Sequence, residues 1–552
     1  MINEMSQYYP RIKILVILAL VSTLVPSCSG NSSQNAMGGN STPTSTPLQV
    51  DQLSISFDAS VPQALIQAVD ANSPIKIAED GANGDIKVLP DQGAGEIEWI
   101  FALAAPFPTV ADDVNSSHLR DFWSGDRSEF TGVEKILVTE ETALAIENLW
   151  GEPDPDHIVV MDKERILNQC WEEANTWAIV PFEELVPQWK VMHIDGQSPL
   201  DKELDTQSYP LTVRYGIQAD QNVMRALEQA NIEPSDWIPY TNRDPQKMTI
   251  LIMTGVTALV RNTAKKMEEK GITYPAEEIK GLLEDADLLH ISNEIAFSEN
   301  CNSPEKGGIR FCSDPQYIQL LEYIGTDIVE LTGNHLLDYG TEPFFYTLDL
   351  YHARGWKYYG AGEDLDAARQ PITLEHNGNQ IAFLGCNIAG PMSTFATTKK
   401  AGVATCKFDL LEEQITALKA SGHIVILTIQ HNEYYRILPP GDQQRDFKKG
   451  AETGADIVSG SQAHYPQTFI FIGDSFVHYG LGNFFFDQMD EPKKGTRQEF
   501  IDKHVFYEGH HISTELISAM LEDYSQPRPM TPEERESLLQ DVLKYVKWIS
   551  LE

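Results

Sequence analysis

The sequence predicts an α/β protein built in two parts, and three observations carry that expectation. Short apolar, β-branched runs recur along the chain and alternate with stretches whose apolar residues fall at helical spacing. The polar stretch 241–247 (Thr-Asn-Arg-Asp-Pro-Gln-Lys) interrupts the pattern near the middle of the chain. Beyond it, most strand-like runs end in polar or ionisable residues, where open α/β sheets gather their sites.

At 552 residues the chain exceeds one ordinary domain. With 42% apolar, 9% aromatic and 22% charged residues it reads as globular rather than disordered. The formal net charge of −40 repels nucleic acid and bare anionic membrane, so no nucleic-acid partner is expected. It is compatible with cation binding, although acidic residues this dispersed are mostly solvated faces.

The first residues read as an address. Arg11 and Lys13 precede an apolar run from Ile14 to Val25, too short to span a bilayer comfortably and well placed as a signal-peptide core. It ends in Val25-Pro26-Ser27-Cys28, which resembles a bacterial lipobox with Cys28 as the lipidated residue; the alternative is a retained membrane anchor. The Ser-, Asn-, Gly-, Thr- and Pro-rich stretch that follows reads as a flexible tether. The expectation is a signal peptide over 1–28, a tether over 29–48, and a chain exported and lipid-anchored at the bacterial cell surface or the periplasmic side of a membrane. Cysteine use agrees with export. Cys301 and Cys312 bracket a short polar segment suited to a disulfide, Cys386 and Cys406 could form a second, and Cys170 is left over. No Cys-x-x-Cys spacing occurs, which speaks against a zinc–thiolate site.

Residues 49–242 form the first part. Gln52–Phe57 alternates as a strand should, and the segment from Pro62 to Ala71 has helical spacing of Leu65, Ile66 and Val69. Trp99–Pro108 is a buried strand stopped by two prolines, and Ala174–Glu183 and Trp189–Gly196 supply further strands. The segments ALAAPFPTV (102–110), LRDFWSG (119–125), WAIVPFEEL (177–185) and YPL (209–211) resemble the type II periplasmic solute-binding fold. That resemblance implies a cleft lined by loops at strand ends, working either as a receptor or as a purely structural copy.

The second part opens with the strand Met248–Gly255 and a helix around Ala258–Lys270. Strand-like runs follow at Ala286–Glu294, Thr326–Leu331, Gln380–Gly385, Ile424–His431, Ala455–His464 and Phe476–Phe486, with a helix at Tyr317–Ile324. Thr531 and Pro532 make a helix start, read as a docked helix running to about Trp548. The expected division is a domain over 248–515 and a helical tail over 516–552.

The strand ends of this part collect Glu294, Asn334, His335, Asp338, His431, Glu433 and His464. Imidazole, amide and carboxylate ligands converging from separate loops suit one divalent ion, Mn²⁺, Zn²⁺ or iron, which would activate a water. His335 would then donate a proton to a leaving group. The structural alternative is a capped Gly333-Asn334-His335 turn and hydrogen-bonded core histidines.

In order, GVTALVR (255–261), SNE (292–294), LTGNHLLDYG (331–340), YYGAGEDLDAARQP (358–371), IAFLGCN (381–387), QHNEYY (430–435), GADIVSGSQAHYPQ (454–467) and HYGLGNFFFDQ (478–488) resemble the CapA, poly-γ-glutamate capsule synthesis, family. The resemblance implies a calcineurin-like metallophosphatase-type α/β/β/α sandwich with its site between the sheet edges. It further implies metal ligands at Asn334, His431 and His464 assisted by Glu294 and Gln462, a general acid at His335 with Asp338, and substrate contacts from Arg261 and Glu433. Three motifs depart from the family pattern. Val256 stands where the family carries a metal-binding Asp, Gln462 replaces the first histidine of Gly-x-His-Pro-His, and Ser292-Asn293-Glu294 replaces Asn-Leu-Glu. One metal, or none, is therefore expected rather than a dinuclear centre. The implied function is a surface lipoprotein of capsule, poly-γ-glutamate or other cell-envelope polymer synthesis with a hydrolase-like site. The alternative is a non-catalytic protein that binds an anionic polymer or a solute.

Overall fold

A computed structural model describes residues 50–550 except 73, 79–82 and 302–308. Cys28, the lipobox and the tether lie outside the described residues. None of the described helices is long and apolar enough to cross a membrane.

The first part is organised on the ten-residue strand Ile97–Pro106, buried along nearly its whole length and therefore covered on both faces. It pairs antiparallel with Thr212–Ala219 towards one side of a nine-stranded sheet and with Thr176–Pro181 and Trp189–Val191 towards the other. The long strand thus joins two groups of strands through one continuous backbone.

The second part holds two seven-stranded sheets. We number its strands β1 Met248–Thr257, β2 Leu288–Asn293, β3 Ile328–Glu330, β4 Lys357–Tyr359, β5 Ile372–His376, β6 Asn379–Asn387, β7 Ile424–Gln430, β8 Ile457–Ser461, β9 Phe469–Ile472, β10 Ser475–His478, β11 Gln498–Tyr507, β12 His510–Glu522, β13 Gln526–Pro529 and β14 Trp548–Ile549. One sheet has the order β4-β3-β2-β1-β11-β12-β13 and the other β5-β6-β7-β8-β10-β9-β14. Leu251, Met253, Ile328, Ile381, Phe383 and Ile426 pack together between the two sheets. Helices Arg261–Lys270, Ile318–Tyr323 and Thr341–Arg354 cover the outer face of the first sheet. Helices Phe408–Ala420 and Gly441–Glu452 cover that of the second. The result is the α/β/β/α sandwich, in which each sheet buries both faces and reads as continuous apolar runs.

Parallel pairing aligns the strand ends that matter. Asn387 lies opposite Gln430, and Gln430 opposite Ser461. In the other sheet Thr257 lies opposite Asn293, and Ser292 opposite Glu330.

The ending of the chain corrects the expected division at 515/516. That boundary falls inside β12, whose thirteen residues pair with β11 and then with β13, so the sheet continues through Pro529. The helix capped by Thr531 spans Pro532–Leu543 and stops short of Trp548. Trp548 and Ile549 instead pair with Phe471 and Ile472, and the Trp548 indole N–H donates to the Gly473 carbonyl at 3.0 Å. Strand pairing and aromatic burial outweigh helix propensity there.

The expected linker is tied down. The Asn242 carboxamide donates to the Ile100 carbonyl and accepts from the Ile100 N–H, while the Arg243 guanidinium donates to the Pro199 carbonyl. The two parts also share apolar surface, with Phe107 packed on Phe469 and Phe471 and Trp171 on Phe471 and Trp548. At the rim of this contact Arg535 grips Asp112 through two hydrogen bonds of 2.6 and 2.9 Å, and Lys190 lies 2.7 Å from the same carboxylate. Burial pushes the Asp112 carboxyl up, but its two cations outweigh that and hold it well below the usual carboxylate range.

Glu499, at the start of β11, is buried, and neither carboxyl oxygen has a hydrogen-bond partner among the described residues. Burial holds this group well above the ordinary carboxylate range. The unfolded chain ionises it at about pH 4.3 and the folded chain does not, so it costs stability increasingly as pH rises above that point. Replacing it by an apolar side chain, Glu499→Leu, is expected to stabilise the fold by about 1–3 kcal/mol at about pH 8, and by less at about pH 4.5. Denaturant unfolding at the two pH values checks this; a variant less stable than wild type at the higher pH contradicts it.

Candidate functional site

The site forms where the ends of β2 and β3 face those of β6, β7 and β8. The turn after β3 can lie against the end of β2 only because residue 333 is glycine: a Cβ there would sit 2.4 Å from the Glu294 carbonyl oxygen. This contact sets Asn334 beside Glu294. The Thr394 hydroxyl, donating to the Asn334 carbonyl at 2.9 Å, holds the turn from the opposite side.

At the centre stands Gln430, the last residue of β7 and 1% exposed. Its Nε2 group donates to Asn334 Oδ1 at 3.0 Å, to Glu294 Oε1 at 3.3 Å and to Gln462 Oε1. Its Oε1 accepts from Asn387 Nδ2 at 2.7 Å. Asn387 is itself oriented by the backbone, since its Nδ2 donates to the Thr332 carbonyl at 2.7 Å and its Oδ1 accepts from the Gly390 N–H at 2.8 Å. Two main-chain groups therefore decide which end of the Gln430 carboxamide faces the site, and it is the N–H end. Beneath it the buried Glu330 carboxyl accepts from Ser461 Oγ at 3.1 Å and from the Thr332 hydroxyl, and burial pushes it above the usual carboxylate range.

His335 and Asp338 form the second feature. His335 Nδ1 lies 2.7 Å from Asp338 Oδ2, and that carboxylate also accepts the Phe311 N–H at 2.8 Å. Burial works to lower the His335 pKa, but the Asp338 hydrogen bond and the nearby charges of Glu294, Asp338 and Glu433 outweigh it and hold the ring above its ordinary value. Phe311 packs on the imidazole with ring centres 4.6 Å apart. A disulfide between Cys301 and Cys312 closes the segment carrying Phe311; a second joins Cys386 to Cys406 in the loop after β6, and Cys170 is free and buried.

The remaining expected ligands are placed elsewhere. His431 Nε2 lies 3.2 Å from Asp446 Oδ2 and its ring faces Tyr434 and Phe447, while its Nδ1 is buried without a partner among the described residues. Successive side chains of a strand alternate faces, so Gln430 entering the site sends His431 to the helix side. His464 Nδ1 meets Asn483 Oδ1 at 2.6 Å and its ring stacks on Phe486, outside the Gln430 cluster. Arg261 is held by the buried carboxylate of Asp487 through its Nε at 2.9 Å and through Nη2, and lies over the Phe486 and Phe311 rings. It is a wall of the site rather than a free clamp. Glu433 is exposed at the rim, accepting from Gln488 Nε2 at 3.4 Å. Val256 is buried and apolar. The structure thus gathers Glu294, Asn334, Gln462, His335 and Asp338, leaves His431 and His464 outside the Gln430 cluster, and places Arg261 in the wall, held by Asp487.

The divalent metal implied by the fold resemblance meets a poor donor set. A cation needs oxygen or nitrogen lone pairs aimed at one point. Here that point is met by the N–H group of a carboxamide, while His431 and His464 are each engaged through one ring nitrogen, by Asp446 and Asn483, and His431 Nδ1 is buried without a partner among the described residues. Among the described residues there is no group of three or more His, Cys, Asp or Glu side chains that could hold a metal. The residues present do not fit the ion.

Gln430, Asn387 and Asp487 were missed from the sequence. The signal for Gln430 was there: it closes a seven-residue apolar strand, and only the strand's facing decides between it and the adjacent His431.

Residues 250–488 match the family model described as bacterial capsule synthesis protein PGA_cap. The chain is 25% identical over 258 residues to the capsule biosynthesis protein CapA of Bacillus anthracis, covering 45% of this chain and 62% of that protein. It is 24% identical over 232 residues to the PGA biosynthesis protein CapA of Bacillus subtilis (strain 168), covering 41% and 60%. It thus spans rather less than two thirds of these relatives. Among solved structures, Haemophilus influenzae NAD nucleotidase is similar at a TM-score of 0.30 and 12% identity, over 55% of this chain and 57% of that one. A phosphate transport receptor from Vibrio cholerae gives 0.27 and 14%, over 33% and 94%. Likenesses this slight carry no functional weight. The Gln430 cluster and the His335–Asp338 pair lie wholly inside the segment, residues 250–488, that matches the PGA_cap capsule synthesis family model and is similar to the CapA proteins.

Proposed function

We propose that this chain is an exported, lipid-anchored protein that takes part in making a capsule polymer, poly-γ-glutamate or a related cell-envelope polymer. The observation that carries the reading is the pairing of His335 with Asp338 at the mouth of the strand-end cluster, inside the segment matched by the capsule family. Asp338 holds Nδ1, leaving Nε2 as the atom able to give or take a proton. The three surrounding carboxylates favour the cationic ring. His335 thus supplies a proton to a bound group, while Asn334, Gln462 and Glu294 offer oxygens that orient it. A second reading, in which the site only binds the polymer or a solute, is favoured by the centre being filled by the Gln430 carboxamide.

The acidic surface restricts how a polyanion could be met. At −40 the whole chain repels such a polymer along its length, so contact is confined to a chain end or a small precursor reaching the cleft.

Deleting the gene in the bacterium that carries it lowers the amount of surface polymer, and the intact chain restores it. His335→Ala fails to restore it if proton transfer is the role, with a loss of about 10²–10⁴-fold in rate, and restores it fully if the site only binds; an unchanged polymer coat in the deletion strain overturns the proposal. Asp338→Asn removes one charge and leaves only a neutral amide oxygen to accept from Nδ1, so the His335 pKa moves down and its imidazolium is lost at lower pH, read by NMR titration of the ring. Wild-type His335, with its folded pKa raised above the ordinary value of 6.5, adds stability that is fully present below that value and is lost as pH rises through the folded pKa. The variant lacks most of this gain. Cys28→Ser shifts the protein from the membrane fraction to the soluble extracytoplasmic fraction; continued membrane retention instead identifies an uncleaved anchor.

A further inference from the structure

We infer that the carboxamide of Gln430 does the structural work of a metal ion at this site, tying the ends of the two sheets together through hydrogen bonds and excluding a divalent cation. This rests on the site assigned above but not on the polymer proposed for it.

The inference follows from how the group is held. Glu294 and Asn334 come from the first sheet, and Gln462 and Asn387 from the second. In a metal site an ion would draw these oxygens together by attracting all of them. Here the neutral Nε2 group does so, reaching an oxygen on each of Glu294, Asn334 and Gln462. The opposite arrangement of the carboxamide, with Oε1 inward, would offer a cation a fourth oxygen. It is closed off because the Nδ2 of Asn387, fixed by the Thr332 carbonyl and the Gly390 N–H, demands an acceptor at that position. Rotating Gln430 would set two N–H groups against each other and leave both buried and unpaired, which is costly. Gln462 reinforces the arrangement. It adopts a positive φ of 76°, a conformation rare for a side-chain-bearing residue, and it is buried with its Oε1 on the Gln430 amide.

The barrier is then a matter of two hydrogens on one atom, and a one-atom change should remove it. Gln430→Glu keeps the size and shape of the side chain. It replaces the inward N–H group by an oxygen, while the other carboxylate oxygen still accepts from Asn387. The carboxylate introduced at position 430, together with Glu294, Asn334 and Gln462, would present an oxygen set suited to Mn²⁺, Mg²⁺ or Ca²⁺.

The test uses the soluble form, residues 48–552, with Mn²⁺ alone as the probe. Wild type is expected to carry no stoichiometric Mn, Zn or Fe by elemental analysis and to melt at the same temperature in EDTA and in millimolar MnCl₂. Q430E is expected to bind Mn²⁺ near one per chain by calorimetry, with a rise in melting temperature of about 4 °C or more on adding the ion. Stoichiometric metal in the wild type, or its stabilisation by Mn²⁺, overturns the inference. So does a folded Q430E that ignores the ion, because the carboxamide would then not be the barrier. If Q430E folds only weakly in EDTA, recovery of its melting transition on adding Mn²⁺ supports the inference and absence of recovery overturns it. Failure of the polymer experiments leaves these outcomes untouched, so the two proposals can fail separately.

Discussion

A carboxamide has one donor end and one acceptor end, and the seam between the two sheets depends on which way one of them points. The Thr332 carbonyl and the Gly390 N–H orient Asn387, Asn387 orients Gln430, and Gln430 presents its N–H group to the oxygens of Glu294, Asn334 and Gln462. Each step joins groups removed from water, where an unmatched donor or acceptor costs far more than a matched pair gains. Such a chain has one low-energy setting, and the geometry of the strand ends follows from it.

The electrostatics of the site take their character from the same cluster. A neutral amide stands at its centre, the charges of Glu294, Asp338 and Glu433 surround His335, and Arg261 is spent on Asp487. The group that answers them is the His335 imidazole, whose pKa they raise, held in place by Asp338 and by the Phe311 ring. A site of this kind can handle protons and hydrogen-bonded ligands. It has little with which to attract a free polyanion, and the chain as a whole would repel one.

The first part of the chain is welded to this scaffold rather than hung from it. Phe107 and Trp171 enter the aromatic cluster of the second part, and the grip of Arg535 on Asp112 closes the rim of the contact from the C-terminal helix. The stretch from Thr241 onward, which composition marks as a linker, has its side chains bonded to Ile100 and Pro199. Polar residues signal a break in the hydrophobic pattern, but they do not show whether their hydrogen bonds go to water or to protein. A rigid junction means that anything bound by the first part would sit at a set position relative to the strand ends of the second.

The sequence by itself determined the α/β class, the two parts, the location of the site at the strand ends, and the Gly333-Asn334-His335 turn with Asp338 beside it. These depend on local pattern: the alternation of apolar runs, the spacing of polar residues after them, and a glycine where a turn must press against Glu294. Tertiary structure alone decided which polar residues meet. Gln430 closes its strand and His431 is the next residue, so a shift of one position exchanges an imidazole for an amide at the centre. Arg261 reads as a substrate clamp until Asp487, 226 residues further on, is seen to hold it. The tail reads as a helix until β12 is paired and Trp548 finds Phe471 across the second sheet. Periodicity records which residues are buried, whereas partner choice is settled by long-range pairing that no local window contains.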